Sequence, residues 1–227
     1  EADLVKTLQQ LPGVAVGTEG MTGLYVRGGG ADENLYLLDG NPVYHVNHLL
    51  GFFSAFNPDA IKNTRFYKGS FPAEYGGRLS SVVDVRMNDG NRQEYHGNIS
   101  VGLLSARANL EGPIVKDRSS FNISVRRTWL DLITGTALAI VNKNSDTKES
   151  FGYHFFDINA KVNHSFSERS RAYLSFYMGQ DAFRQGSKEK HEDSDDMFLW
   201  RWGNLIGSAG WNYVFGQKLF GNLMVGY

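Results

Sequence analysis

Cysteine is absent from the 227-residue sequence, which excludes disulfides, thiolate metal sites and cysteine nucleophiles. The net charge is −1, so the chain lacks the basic surface that nucleic-acid binding requires, and we predict no nucleic-acid partner. No apolar run approaches the ~18 residues of a membrane-spanning helix. The longest candidate is the short ALAIV at 137–141. These absences exclude several classes of protein without identifying one.

Residues 1–90 show short elements of mixed type. Leu4, Leu8 and Leu11 share one face of a predicted helix that ends at PG (12–13), because proline and glycine stop helices. Asp39-Gly40 tolerates the positive φ of a tight hairpin turn, and NPD (57–59) has the capping residues of a helix start. The segments KNTRFYKG (62–69) and SSVVDVRM (80–87) predict two more strands. This region therefore indicates a small α+β unit.

From about residue 95 the helical signals stop and apolar residues alternate with polar ones, which places them on opposite faces of a sheet. The clearest segments are 121–129, 156–166 and 171–179. Their connections alternate between short turns (112–118, 167–170, 216–218) and long polar loops (130–152, 184–196), as in a transmembrane β-barrel. The alternation changes register near Gly102, where a hairpin predicts seven strands and a bulge six.

Charge placement tests which face meets lipid, since a lipid-facing arginine is costly at mid-membrane and tolerated at the interface. Arg127 and Arg201 lie in the apolar register, Arg127 near Trp129 and Arg201 between Trp200 and Trp202. These residues fit a membrane-interface belt. Alternation alone does not decide which face is inside. A soluble β-rich barrel that turns its apolar face inward around a carbohydrate or lipid remains the alternative.

Several segments resemble the TonB-dependent receptors of bacterial outer membranes, in the form found in Bacteroidetes. The resemblance covers essentially the whole chain and rests on the order and spacing of LQQLPGV (8–14), LYVRGGGADENLYLLDGNPVY (24–44), FFSAFNPDAIKNTRFYKGSFPAEYGGRLSSVVDVR (52–86) and LEGPI (110–114).

The resemblance implies an α+β plug domain over residues 1–90 and the first antiparallel strands of a transmembrane β-barrel over residues 91–227, about seven strands. We expect the chain to be truncated at both ends, without the leader and TonB-contacting segment upstream and without most of the barrel downstream. The implied function is active transport of a scarce nutrient, such as a siderophore, corrinoid or oligosaccharide, across the bacterial outer membrane. Its implied partners are TonB, outer-membrane lipid and the nutrient. GGRLSSVVDVR (76–86) departs from the ending typical of glycan importers, so a surface lipoprotein lid is not favoured.

In the family, plug arginines of RG-type and YG-type motifs pair with acidic residues on the barrel wall. Arg27 and Arg78 are the corresponding residues here. Arginine suits such a pairing because its guanidinium offers a rigid fork of donors to a carboxylate. Gly76 and Gly77 permit a close backbone approach or an unusual φ. The candidate plug–barrel or gating contacts are Arg27, Gly28, Asp39, Gly40, Tyr75, Gly76, Gly77 and Arg78.

Other motifs are weaker. His45 and His48 could bind a metal only if helical and with a third ligand, so we interpret them as solvated or structural. The acidic KEKHEDSDD (188–196) matches no calcium loop and is interpreted as a solvated outer loop. No pair of residues is selected for catalysis, so we predict neither an enzyme nor a cofactor or metal site.

Overall fold

The computed structural model describes residues 3–145, 147–189 and 195–227. Two α-helices, α1 (Leu4–Leu8) and α2 (Leu130–Val141), and four short 3-10 helices (Ala31–Glu33, Leu49–Gly51, Pro58–Ala60 and Asn142–Asn144) accompany the strands. The strands are β1 (Val14–Ala15), β2 (Tyr25–Val26), β3 (Asn34–Leu38), β4 (Asn41–Pro42), β5 (Asn47–His48), β6 (Phe53–Ser54), β7 (Ile61–Tyr67), β8 (Ser81–Met87), β9 (His96–Val101), β10 (Ser105–Val115), β11 (Ser119–Thr128), β12 (Thr147–Ser167), β13 (Ser170–Glu189), β14 (Asp195–Gly216) and β15 (Leu219–Gly226).

Residues 3–89, here called the N-terminal unit, are built around a mixed sheet of order β4-β3-β8-β7, in which β3 and β8 are parallel. The turn between β3 and β4 is the predicted Asp39-Gly40, with φ of +47° and +88°. Val83 and Val85 are fully buried in the core beneath this sheet. Helix α1 is shorter than predicted and leaves Leu11 outside it. The predicted helix at 57–59 is a single 3-10 turn, although Asn57 Oδ1 does accept a hydrogen bond from the N–H of Asp59.

Strands β9 to β15 form one antiparallel sheet of seven strands in sequence order within the described residues. The register change near Gly102 is a hairpin between β9 and β10, so the count of seven is the correct alternative. The two long loops were predicted wrongly in part. Helix α2 occupies much of 130–152, and β13 and β14 extend into 184–196, because alternation continues beyond the apolar band. Residues 190–194 of the predicted acidic loop lie outside the described residues.

The sheet has inverted polarity relative to a soluble barrel. On β11, Ile123 and Val125 are more than 40% exposed, whereas Ser124 between them is fully buried against the N-terminal unit. The same alternation holds on β12, where the polar residues Asp157 and Asn159 are buried. The polar face therefore covers the N-terminal unit and the apolar face points away from it, opposite to the soluble alternative, which requires the apolar face inside.

Among the described residues, none of the helices combines the length and apolar character needed to cross a membrane.

Candidate functional site

The seam between the N-terminal unit and the inner face of the sheet contains two buried clusters of charged side chains. The first surrounds His48, which is 2% exposed and lies at the end of β5. Its Nδ1 is 2.6 Å from Asp181 Oδ2 and its Nε2 is 2.9 Å from Asp157 Oδ1. The imidazole ring stacks on Phe155, with ring centroids 4.3 Å apart. A side chain of the N-terminal unit is thus held by two carboxylates of the sheet.

This geometry defines the charge on His48. An ionised carboxylate only accepts hydrogen bonds, so both ring nitrogens must donate, which requires the imidazolium form. Burial alone would lower the pKa of His48, but Asp157 and Asp181 outweigh it and raise the pKa to about 9. Paired with carboxylates on both sides, the imidazole has no free nitrogen for a metal. Within the described ranges, no set of His, Asp and Glu side chains has the arrangement of a metal site.

Asp157 links the cluster further. Its Oδ2 accepts a hydrogen bond from Arg126 Nε at 2.8 Å, and its Oδ1 accepts one from the Tyr177 hydroxyl at 3.0 Å. Arg126 also donates from a terminal nitrogen to the carbonyl oxygen of Ser54 at 2.7 Å, so one guanidinium contacts both the sheet and β6. These charges are compensated by neighbouring groups, as burial requires.

The second cluster lies beneath the first and holds the segment that follows β8. Lys161 Nζ, on β12, is 3.1 Å from Asp39 Oδ1 and 3.2 Å from Asp89 Oδ1. Asp89 also contacts Arg171 at 2.8 Å and Lys62 at 2.7 Å. Burial raises the pKa of Asp89, but these three cations outweigh it and hold the pKa below its ordinary value. Asp89 therefore remains ionised and fixes the exit of the N-terminal unit to the sheet.

The two arginines that the motifs suggested as plug–barrel contacts, Arg27 and Arg78, lie outside both charged clusters. Arg27 is exposed with a φ of +50°, next to Gly28 with a φ of +85°. Arg78 is also exposed, and it donates a hydrogen bond to the carbonyl oxygen of its own neighbour Gly77. In the described contacts, the acidic wall residues Asp157 and Asp181 are paired with His48 instead.

The structure explains the need for glycine at one of the two adjacent positions 76 and 77. Gly77 has a φ of +81°, which favours glycine, whereas Gly76 has neither a positive φ nor a neighbour that a Cβ would meet. Tyr75 lies beside them, with its hydroxyl 3.5 Å from Asp84 Oδ2. A gating role for Tyr75, Gly76, Gly77 and Arg78 stays a prediction.

Two of the predicted membrane-interface residues need correction. Trp200 and Trp202 pair in register with Phe183 and Asp181, and Asp181 points inward to His48, so both tryptophans lie on the inner face. Arg127 and Trp129 do lie in the outer register. Arg127 contacts Asp131 at 2.7 Å, and the Trp129 indole N–H donates to the carbonyl oxygen of Leu103.

Sequence reasoning missed the pairing partners in both clusters. Arg126, Asp157 and Lys161 stand in the polar register of the alternation, which indicated contact with a lumen or plug. The pattern carried no information on which side chain of the N-terminal unit each would meet. For His48, the position in a loop after the predicted hairpin suggested a solvated or structural role, and the structure shows that this side chain is buried in a structural one.

Comparison with known proteins assigns the first unit. Residues 1–83 match the family model of the TonB-dependent receptor plug domain. This unit is therefore similar to the plug domain of the TonB-dependent receptors, a class of transporters rather than enzymes. No curated protein matches the chain at a significant level.

Solved structures match the described fold over nearly the whole chain. The siderophore receptor PirA from Acinetobacter baumannii aligns with a TM-score of 0.54 and 17% identity, covering 99% of this chain and 45% of PirA. A mutant of the ferric enterobactin receptor PfeA from Pseudomonas aeruginosa aligns with a TM-score of 0.51 and 16% identity, covering 98% of this chain and 42% of the receptor. The chain thus spans less than half the length of these receptors, and at this identity the likeness concerns the fold: a plug followed by part of a barrel.

Proposed function

We propose that this chain is the plug and the first barrel strands of a TonB-dependent active transporter in the bacterial outer membrane. The observation that carries the proposal is the inverted polarity of the seven-stranded sheet around a matched plug domain. An apolar outer face and a polar inner face are what a lipid-embedded barrel requires. Outer-membrane lipid would contact the apolar face, and TonB would be the protein partner.

The transported nutrient is a scarce compound bound above the plug. The names of the matched receptors make ferric siderophores the first class to test, with corrinoids and oligosaccharides next. A surface lipoprotein lid is not favoured, given the ending of the plug at residues 76–86. Whether the chain is of the Bacteroidetes form stays a prediction, as do the boundaries at residues 90 and 91 and the plug–barrel or gating role of Arg27, Gly28, Asp39 and Gly40.

The test is nutrient uptake by a strain that lacks the full-length protein. We expect growth on one limiting nutrient to be restored by the intact gene and not by the same gene in a tonB deletion or after collapse of the proton gradient. Uptake that is indifferent to both treatments would contradict active transport.

Topology supplies a second test, in a full-length protein from which any cysteine outside these 227 residues has been removed; the 227 residues themselves contain none. In the full-length protein, Lys188→Cys at the long-loop end should react with a membrane-impermeant thiol reagent on intact cells. Lys218→Cys at the short-turn end should react only after lysis. Labelling of both positions on intact cells would contradict the orientation.

A further inference from the structure

The outer face of the sheet carries two arginines that point away from the plug. Arg201 lies between the inward-facing Trp200 and Trp202, so it points outward. Arg184 pairs in register with Leu199, two residues before Arg201 on β14, so it points outward as well. Both side chains are exposed, and as diagonal neighbours on adjacent strands their Cα atoms lie about 7–8 Å apart. One ligand can therefore contact both guanidinium groups.

The charge of these two arginines is not compensated by the described residues. The carboxylate of Asp131, in the first turn of α2, is bound to Arg127 at 2.7 Å and lies 3.5 Å from His154. Within the part of the chain that the structure describes, neither Arg184 nor Arg201 forms an ion pair. Two positive charges are thus available to an anion that approaches from outside the barrel.

The arginine pair lies at the upper boundary of the apolar band. Below it, the outer positions include Phe176 on β13 and Leu205 on β14, both more than 40% exposed. Arg184 lies twelve residues along β13 from Ala172, a rise of about 30 Å for a strand tilted as in a membrane barrel. The apolar band of such barrels is about 25 Å tall. In a sheet embedded as proposed above, the pair therefore stands at the height of lipid headgroups.

Helix α2 lies against the same outer surface. Gly152, the partner of Arg184 in register, leaves room for the helix, because a Cβ at Gly152 would lie 3.7 Å from the Cβ of Asp131. At the other end of the helix, the Asn142 side chain donates to the carbonyl oxygen of Glu149 at 2.6 Å and accepts from its N–H at 3.0 Å. The helix therefore runs along the outside of β12, beside Arg184.

The apolar side chains of α2 are left uncovered by the described residues. No charged residue occurs between Asp131 and Lys143, and Leu132 and Ile140 are 62% and 73% exposed. A helix with such an apolar face is suited to a membrane interface, where that face enters the boundary between headgroups and acyl chains. Uncompensated arginines and an uncovered apolar helix at the same height favour a lipid over a soluble anion.

We propose that Arg184 and Arg201 bind the phosphate of an anionic lipid in the outer leaflet, at the long-loop end of the barrel, and that α2 lies in the same leaflet beside the headgroup. Arginine suits this role because its fork of donors matches phosphate oxygens. The acyl chains lie over the exposed apolar positions below. The inference rests on the proposed membrane location, but it concerns the outside of the barrel and not the path of the nutrient.

The first test is lipid binding by the full-length receptor purified in an uncharged detergent. The variant R184Q/R201Q removes the arginine pair. The matched control R118Q/R169Q removes two exposed arginines at the short-turn end of the sheet. Bis-phosphorylated lipid A is the probe, and phosphatidylcholine, whose phosphate is balanced by its choline, is the comparator. Native mass spectrometry over a titration measures the bound fraction of each lipid.

The wild type should prefer lipid A to phosphatidylcholine. R184Q/R201Q should bind lipid A about tenfold more weakly, because two charge-assisted contacts to phosphate are lost, whereas R118Q/R169Q should stay within about twofold of the wild type. Equal binding by the wild type and R184Q/R201Q would overturn the proposal. Equal losses in the two double variants, or no preference for lipid A, would do so too.

A second measurement locates α2. In the full-length protein freed of other cysteines and reconstituted in vesicles that contain lipid A, Ile140→Cys carries a bimane label. A nitroxide on the lipid acyl chains should quench this label, and aqueous iodide should not. Lys188→Cys, further along β13 from Arg184, should show the reverse. Quenching at position 140 by iodide, or shielding from both quenchers as expected if outer loops cover the helix, would overturn the proposal.

The lipid inference and the transport proposal fail separately. If lipid binding is indifferent to R184Q/R201Q while nutrient uptake still depends on TonB, the lipid inference fails and the transport proposal stands. Nutrient uptake that is independent of TonB in the wild type refutes the transport proposal itself.

Discussion

The lower and upper parts of the inner face of the sheet follow the same alternation of inner and outer positions, but they differ in the residues at the inner positions and in how far these are buried. In the lower part, Asp157 and Lys161 are buried and paired with side chains of the plug or its exit segment. In the upper part, Phe198 and Trp200 occupy equivalent inner positions and are more than half exposed. One part is already complementary to the plug, and the other is left uncovered in the described structure.

This difference suggests two roles: the lower part holds the plug in place, and the upper part is available to a ligand. A buried ion pair is lost at high cost when one partner is removed, because the other charge stays buried. An exposed ring costs little to remove from the folded state and matters only when something binds to it. The two parts should therefore respond differently to substitution, with large losses of stability in the lower part and small ones in the upper part.

The largest effect is expected at Asp157. Asp157→Asn removes the charge that His48 and Arg126 share, so that His48 keeps only Asp181 of its two carboxylate partners and Arg126 faces a neutral amide. We expect a loss of about 3–5 kcal/mol in the unfolding free energy of the full-length receptor, measured by chemical denaturation in detergent. Glu149→Gln on the same strand is the control, since Glu149 is exposed, and should change stability by less than about 0.5 kcal/mol. Similar effects of the two substitutions would contradict the picture of a seam held by charge.

The next effect is a pH dependence centred on His48. Its folded-state pKa of about 9 lies above the ordinary value of 6.5, so its stabilising contribution is complete below pH 6.5 and is lost as the pH rises through 9. The contribution is about 3 kcal/mol. We expect the unfolding free energy of the wild type to fall from pH 6 to pH 9.5 relative to that of His48→Gln. Parallel pH profiles would show that His48 is not held as a cation.

The fold was predictable where a local pattern determines it. The turn at Asp39-Gly40 follows from residues that tolerate positive φ, and the strands follow from alternation, which also placed Asp157 and Lys161 on the polar face. Helix α2 was missed because its residues were interpreted as a long loop. Its polar side chains contact β11 and β12, while Leu132 and Ile140 are exposed, so its pattern is not that of a helix covering a core.

The sites were less predictable, because they depend on residues far apart in sequence. His48 and Asp181 are 133 residues apart, and no local signal joins them. Trp200 and Trp202 were assigned to the membrane interface because tryptophan is enriched there. Register with Phe183 and Asp181 places both on the inner face instead.

The smallest effect on stability is expected at Trp200, in the upper part of the inner face. Trp200 is 59% exposed, so Trp200→Ala should lower the unfolding free energy by less than about 1 kcal/mol. Trp202 packs against the buried cluster of Phe53, Tyr153 and Phe155, so Trp202→Ala should cost about 1–3 kcal/mol. Denaturation of both variants beside Asp157→Asn gives the ranking directly. If Trp200→Ala proved as destabilising as Asp157→Asn, the upper part of the inner face would belong to the structural seam as well.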